Sequence, residues 1–276
     1  MLKGVIVKNV SNAYTVLCDE KCYVCTPRGR FRNAGVTPLV GDTCMIDEEN
    51  GYILELLPRK NELKRPSVCN VDYGLIVASL KEPDLKLTLL DKEITSILLA
   101  KVKPVICFTK LDLAHDLEIY QSYREYYERI GIPCFDNQHL SDLLAYLKGS
   151  IVVLTGQTGA GKSSLLNRID PSLNLKTDII SQALNRGKHT TRHTEIYWTQ
   201  DIAFCDTPGF SALEVTGYSK EEVKATFHEF GCYECKFKDC MHLKETHCAV
   251  KDAVYRGEIL PSRYASYEKM IEESMR

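Results

Sequence analysis

Along the first 65 residues, apolar positions come in short alternating runs that stop at turn formers. "GVIVKN", "AYTVLC", "CYVCTP", "DTCMID" and "GYILELL" follow one another at short, fairly even spacing, punctuated by Gly, Pro, Asn and Asp. Runs spaced this way predict a small antiparallel barrel or sandwich. A charged linker, "PRKNELKRP", follows, and the rhythm then changes. From about residue 66 to 215, the continuous apolar runs "GLIVAS", "PVICFT", "IVVLTG" and "IAFCDT" read as buried strands. Between them, "HDLEIYQSYREYYERIG" has the helical period. It places Tyr120, Tyr123, Tyr127 and Ile130 on one face for core packing, with Gly131 at the C-cap. Strands alternating with helices predict a parallel sheet with helices on both faces. The last block holds a cysteine cluster and ends in "SRYASYEKMIEESM", which reads as a helix. The expected fold class is therefore α/β, with domains at 1–65, 66–217 and 218–276.

Composition narrows this picture. A chain of 276 residues has room for one large domain or two to three smaller ones. With 26% charged residues and a formal net charge of -2, the chain does not read as disordered, and any nucleic-acid contact must come from local patches. No stretch approaches the ~18 apolar residues of a membrane span, so a soluble, cytoplasmic protein is expected, with no membrane partner. Most of the twelve cysteines sit singly in apolar runs, such as Cys107 and Cys205, which suits a reducing compartment. There is no internal repeat and no low-complexity tract.

The candidate chemistry begins at "GQTGAGKSS". Gly156, Gln157, Thr158, Gly159, Ala160, Gly161, Lys162 and Ser163 fit G-x-x-x-x-G-K-[ST] at every fixed position, and Ser164 follows. The run "SIVVLT" precedes it as a strand, and "SSLLNRI" opens a helix with Leu165, Leu166 and Ile169 on one side. Glycines let successive N–H groups turn toward phosphate oxygens, and a helix N-terminus favours anions. Lys162 would reach the β and γ phosphates, and the Ser163 hydroxyl would coordinate Mg²⁺. In "DIAFCDTPGF", Asp206 stands at a strand end where it can hold Mg²⁺, and the Gly209 N–H can approach the γ-phosphate. The polar loop "NRGKHTTRHT" lies between the two. Thr191, with Thr190 beside it, would complete the Mg²⁺ shell when the γ-phosphate is present.

"FTKLD" comes earlier in the chain and reads as a base-recognition loop. The Asp112 carboxylate can accept from guanine N1–H and from the exocyclic amine, a donor pair that adenine lacks. Lys110 would lie along the base, and Thr109 stands where N-K-x-D loops carry Asn. It offers one hydroxyl and no amide. In most GTPases the phosphate loop comes first. The reversed order fits a domain whose old termini were joined and which was cut elsewhere, since termini lie on the surface and often close together. The serine-containing turn that flanks the base should then fall between Asp112 and Gly156. The stretch "IPCFDNQHL" has neither the serine nor the alanine, so this contact stays unassigned.

The order TKLD, GQTGAGKSS, RGKHTT, DTPGF resembles the circularly permuted, ribosome-small-subunit-dependent GTPases of bacteria. The likeness extends over essentially the whole chain. "RGRFRNAGVTPLVGD" and "RKNELKRPSVCNVD" resemble that family's barrel and linker, and "CKFKDCMHLKETHCAV" its zinc domain. The resemblance implies a permuted P-loop GTPase domain, flanked by an N-terminal OB-type β-barrel and a C-terminal α-helical zinc-binding domain. It implies GTP hydrolysis stimulated by the small ribosomal subunit, late in that subunit's maturation, with GTP, GDP and ribosomal RNA as partners. The chain is expected to be a monomer. Where many GTPases place a water-orienting Gln after the D-x-x-G glycine, this chain has Phe210, which cannot hold water by strong hydrogen bonds. His189, in the RGKHTT loop, is the nearest residue able to do so, and similarity to the family points the same way.

The segment "CYECKFKDCMHLKETHC" offers Cys232, Cys235, Cys240, His242, His247 and Cys248. Four thiolate or imidazole donors suit one structural Zn²⁺. The family pattern C-x₄-C-x-H-x₅-C maps onto Cys235, Cys240, His242 and Cys248, although spacing alone also allows Cys232 in place of His242. Cys22-Tyr-Val-Cys25 is a formal C-x-x-C without a second pair, and reads as two unrelated strand cysteines. On the barrel, Arg28, Arg30 and Arg32 lie near Tyr14, Tyr23 and Phe31 in sequence, and Lys60, Lys64 and Arg65 form a second basic group. Such groups can bind RNA. Two other classes fit parts of the pattern: an ATP-dependent P-loop enzyme such as a small kinase, and an RNA-binding module that keeps nucleotide without significant turnover.

Overall fold

In the computed structural model, the described residues are 1–29, 31, 34–64, 67–114, 116–174, 195–206 and 215–275. In chain order, the strands of the first half are β1 (Leu2–Val10), β2 (Ala13–Cys18), β3 (Lys21–Pro27), β4 (Thr43–Asp47), β5 (Tyr52–Leu56), β6 (Glu62–Lys64) and β7 (Ser67–Cys69). Then come β8 (Tyr73–Ser79), α1 (Leu87–Leu99), β9 (Lys103–Thr109), α2 (Leu117–Arg129), β10 (Cys134–Asp136) and α3 (Leu140–Leu147). The last are β11 (Ile151–Thr155), α4 (Lys162–Ile169), β12 (Glu195–Thr199), β13 (Ile202–Asp206), α5 (Lys220–Ala225), α6 (Ala249–Tyr255) and α7 (Pro261–Ser274). The described residues fall into two compact units. One lies within Met1–Leu75, His139–Thr155 and Lys162–Ala212, the other within Ile76–Gln138, Gly156–Gly161 and Leu213–Arg276.

In the first unit, β1 to β5 close on themselves in the order β1-β2-β3-β5-β4, with β4 back on β1. This is the small closed barrel that the alternating runs predict, with the strand order of an OB-type barrel. Along β2 the alternation is strict: Tyr14, Val16 and Cys18 point inward and are buried. Two-residue turns at Ser11–Asn12 and Asp19–Glu20 have positive φ at both positions, the handedness that matches the twist of a hairpin. The same unit carries β11, parallel to β13, and β12, antiparallel to β13.

The charged linker is not a spacer. Arg59 Nε and Nη2 both donate to the fully buried carboxylate of Asp42, each at 2.7 Å, and Nη1 reaches Glu62 at 2.6 Å. A buried carboxylate is costly unless paired, and a bidentate guanidinium satisfies both oxygens. Residues past Arg59 then fold as the antiparallel pair β6–β7, with Leu63 and Val68 buried. Arg59 of the linker therefore serves the barrel's own packing before it serves any partner.

In the second unit, β9 lies between β8 and β10 and is parallel to β10. Helix α2 starts at an Asp116 N-cap that accepts from Glu118 N and Ile119 N, and ends with Ile130 before Gly131 at φ 86. That is the glycine stop the sequence predicts. The tyrosine face is turned from the one expected. Tyr120 and Tyr127 are buried, but the third buried tyrosine is Tyr126, while Tyr123 and Ile130 are only partly covered. Tyr120 packs edge-on to Phe108, and the Tyr127 hydroxyl donates to Asp91 of α1 at 2.8 Å. The stripe thus serves two neighbours instead of one.

The C-terminal helices share a core of Val223, Phe227, Phe230, Val250, Tyr267 and Ile271. They are fastened to α1 by charge as well. Arg263 is 1% exposed, lies 4.1 Å over the Phe227 ring, and donates to Asp91 at 2.9 Å and Glu229 at 2.8 Å. Removing one member of so dry a network leaves the others unpaired, which costs ~3–5 kcal/mol.

Candidate functional site

Strand β9 delivers Thr109 to its end with the side chain 3% exposed. Its hydroxyl donates to the carbonyl of Ala160 at 2.6 Å. This one bond joins the base-recognition motif to the phosphate-loop motif, 51 residues later in the chain. Lys110 follows in the left-handed region at φ 58, and its ammonium donates to the carbonyl of Glu82, in the loop after β8. Asp112 sits in the one-turn helix Leu111–Leu113 and is exposed, so its carboxylate is open to a ligand.

The phosphate loop has the backbone its glycines predict. Gly156 has φ 133, and a Cβ there would stand 2.2 Å from the carbonyl oxygen of Val77, so only glycine fits. Gly159 and Gly161 also have positive φ, and Ala160 N–H closes a turn onto Gln157 O at 3.0 Å. Thr158 is exposed and Gln157 half-buried. The chain then enters α4 at Lys162, with Ser163 half-buried, Ser164 exposed, and Leu165, Leu166 and Ile169 buried as expected. A glycine loop with this backbone can turn successive N–H groups toward an anionic group. Asp206 is the last residue of β13. His189, Thr190, Thr191, Gly209 and Phe210 lie outside the described residues.

The stretch in which the sequence places the flanking turn has a defined backbone. Asp136 of β10 pairs in register with Phe108 of β9, and Asn137 N–H donates to Phe108 O at 3.0 Å. The Asp136 carboxylate, 4% exposed, accepts from Gln138 N–H at 2.9 Å. The segment Asp136–Gln138 is therefore a tight Asx turn one strand over from the base-recognition loop. A search for serine and alanine passes it by. The available signal was an Asp closing a short apolar run before Asn.

The second constellation is the cysteine cluster. Cys235, Cys240, His242 and Cys248 bring four donor atoms within 4.8 Å of one another. The Cys248 sulfur lies 3.8 Å from those of Cys235 and Cys240, and His242 Nδ1 lies 3.3–3.5 Å from the three sulfurs. A tetrahedral ion with metal–sulfur bonds of ~2.3 Å and a metal–nitrogen bond of ~2.0 Å has edges of about 3.8 and 3.5 Å. The donors therefore stand where a four-coordinate ion needs them. Cys232 is exposed and is not among them, so the donors that the structure brings together include His242 and not Cys232.

The loop around the cluster is fixed from outside. Tyr264 and Tyr267 hydroxyls donate to the carbonyls of His242 and Met241, each at 2.5 Å. The Glu245 carboxylate accepts from Met241 N and Leu243 N, each at 2.7 Å. Burial pushes the Cys240 thiol up to about 12. Burial also acts to raise Cys235, but the N–H groups of Val250 and Ala249 and the neighbouring thiols bring it below its ordinary value. Burial, with Lys224 nearby, lowers His242 to about 4, which keeps the imidazole neutral and able to ligate.

The barrel gives a mixed result for the basic groups. Tyr14 is 2% and Phe31 9% exposed, so both belong to the core and cannot stack on a base, whereas Tyr23 is half-buried. Arg28 lies over the Tyr52 ring at 5.4 Å, and Lys60 is paired with Asp72. Lys64 lies in β6, and Arg30, Arg32 and Arg65 fall outside the described residues. Cys22 and Cys25 form no pair: one is exposed and the other buried, as positions i and i+3 of a strand must be.

Comparison with known proteins agrees with this geometry. The sequence profile described as RsgA GTPase matches residues 56–216, and that of the RsgA N-terminal domain matches residues 3–53. The chain is 43% identical to the small ribosomal subunit biogenesis GTPase RsgA of Bacillus velezensis, over 99% of this chain and 97% of that protein. It is 41% identical to the protein of the same name in Bacillus subtilis, again over 99% and 97%. Among solved structures it resembles YloQ, described as a circularly permuted GTPase, with a TM-score of 0.82 and 36% identity over 99% of this chain and 94% of that one. It also resembles YjeQ from Thermotoga maritima, with a TM-score of 0.86 and 34% identity over 99% and 98%.

Proposed function

This chain belongs to the RsgA GTPase family, and from that premise we infer that it hydrolyses GTP and acts in the biogenesis of the small ribosomal subunit. The observation that carries the reading for this chain's own residues is the bond from Thr109 to Ala160. It supports one nucleotide site built from motifs in permuted order, with the base at Asp112 and the phosphates along Gly156 to Ser163. In this reading Lys162 neutralises the β and γ phosphates, and Gln157 to Gly161 cradle them with backbone N–H groups. Asp112 selects guanine, and the Asp136–Gln138 turn flanks it. Ser163, Asp206 and Thr191 would hold Mg²⁺, which supplies charge neutralisation on the phosphates. Gly209 senses the γ-phosphate, and His189 orients the attacking water in place of a glutamine.

The Cys235, Cys240, His242 and Cys248 set fits Zn²⁺ by donor type and spacing. Three thiolates and one imidazole close a tetrahedral shell, so the ion's role is structural. The domain division proposed for this activity is a barrel at 1–65, a GTPase domain at 66–217 and a metal domain at 218–276. The barrel meets ribosomal RNA through exposed groups such as Arg28, which is half exposed beside Tyr52. The working state is a cytoplasmic monomer. Among the described residues, no helix is long and apolar enough to cross a membrane.

Multiple-turnover hydrolysis of GTP and ATP, with and without purified small subunits, tests this reading. GTP turnover should be slow alone and rise with subunits, and Lys162→Ala should reduce it by about 10²–10³-fold, as when a transition-state charge partner is removed. Equal use of ATP would refute the base assignment. A rate indifferent to small subunits would refute the ribosomal one.

A further inference from the structure

Thr109 is where this chain departs from the N-K-x-D pattern, and its hydrogen bond decides what the departure does. A threonine hydroxyl carries one proton, and a carbonyl oxygen has none to give. At 2.6 Å, the proton between Thr109 Oγ1 and Ala160 O therefore belongs to Thr109 and points at Ala160. The side chain is 3% exposed and β-branched, so it has little freedom to turn elsewhere. A Cβ at Gly161 would lie 3.9 Å from the same oxygen, so this hydroxyl stands against the phosphate loop itself. An asparagine at this position has two N–H donors. It could serve the loop and still donate to a base.

Guanine presents two kinds of edge. Its pyrimidine edge carries N1–H and the exocyclic amine, and its imidazole edge carries N7, which only accepts. Asp112 is an acceptor and suits the first edge. N9 carries the sugar and phosphates, so a purine held at its pyrimidine edge by Asp112 would have its imidazole ring on the side of the phosphate loop, where Thr109 is tied. We propose that Thr109 leaves the N7 of the bound purine unread, so that the recognition loop holds the base through its pyrimidine edge and gains nothing from N7. The inference rests on the nucleotide site proposed above.

Titration calorimetry of the full chain with GTP, inosine triphosphate and 7-deaza-GTP tests it. Inosine triphosphate lacks the exocyclic amine, and 7-deaza-GTP carries C–H in place of N7. A hydrogen bond to N7 would be worth about five-fold in affinity. The expected result is GTP and 7-deaza-GTP within three-fold of each other, with inosine triphosphate clearly weaker. Thr109→Val, which keeps the shape and removes the hydroxyl, should weaken GTP and 7-deaza-GTP in parallel, because it loosens the loop and not the base. A preference for GTP over 7-deaza-GTP beyond three-fold in the unaltered protein overturns the proposal, whether or not Thr109→Val abolishes it. If GTP binds no better than inosine triphosphate or ATP, the nucleotide-site reading itself falls, and that outcome is distinct from the first.

Discussion

The metal cluster and the nucleotide loops lie in the same unit but are held by different means. The cluster's outermost ligands, Cys235 and Cys248, are 13 residues apart. Cys240 and Cys248 are themselves 2% exposed members of the C-terminal core, and two tyrosine hydroxyls and one carboxylate fix the backbone between them. The nucleotide loops are joined across 51 residues by one threonine hydroxyl, with a second tie from Lys110 to the Glu82 carbonyl. In the first region the functional atoms are part of the core. In the second they stand at the ends of strands whose packing does not depend on them. Damage to the cluster should therefore appear as lost stability, and damage to the loops as changed chemistry on an intact fold.

The largest effect separates the two regions most sharply. Cys240→Ala, or withdrawal of the ion by a chelator, should remove the stability coupled to metal binding, on the order of 10 kcal/mol for structural zinc. A thermal melt read alongside metal content checks this. The C-terminal helices should lose cooperative unfolding once the ion is gone. If the ion leaves and the melt stays in place, the cluster is an ornament on a self-sufficient core, and the two regions do not differ in this way.

Asp112→Asn should act in the opposite way. Each hydrogen bond to an ionised carboxylate is worth ~1.5–3 kcal/mol, so losing two lowers affinity for GTP by about 10²-fold or more. The amide supplies a donor where the acid supplied acceptors, so xanthine nucleotides should gain. Asp112 is exposed and lies in the one-turn helix that follows β9, so the melt should stay put. Competition binding with guanine and xanthine triphosphates measures the first effect, and calorimetry of the ligand-free protein the second. A variant that loses GTP by unfolding would place Asp112 in the scaffold instead.

The two regions were also legible to different degrees. In the metal cluster the donors are close in sequence, so spacing marked the cluster and left only Cys232 against His242 open. In the nucleotide site each motif was legible by chemistry. That Thr109 ties to Ala160 was not, because the contact depends on which strands become neighbours. The Asp136–Gln138 turn was missed because it is set by backbone register and an Asx bond, and not by the expected serine and alanine. Tyr126 is buried alongside Tyr120 and Tyr127 because a second side of α2 is covered too, where Glu229 and Arg263 stand near the Tyr126 hydroxyl, and one helical period describes only one face. The linker read only as a charged connection because nothing in "PRKNELKRP" announces that Asp42, buried in the barrel, needs Arg59.

The smallest expected effect tests the finest distinction within the cluster. Cys232 is three residues before Cys235, and C-x-x-C spacing is common among zinc ligands. Yet its thiol is exposed, at the end of the short helix His228–Cys232, while His242 is 4% exposed with Nδ1 3.3–3.5 Å from three sulfurs. A ligand must be desolvated to bind, and only the histidine is. His242 also adopts φ 58, a left-handed conformation that a non-glycine residue holds only when its surroundings impose it, and the Tyr264 hydroxyl on its carbonyl is one such constraint. Cys232→Ser should therefore leave one ion per chain and change stability by no more than ~0.5 kcal/mol, as for a surface substitution. His242→Ala should lose the ion under the same conditions. Metal analysis of the two variants side by side decides the matter. Loss of the ion from the serine variant, with retention in the alanine variant, would exchange the two residues' roles.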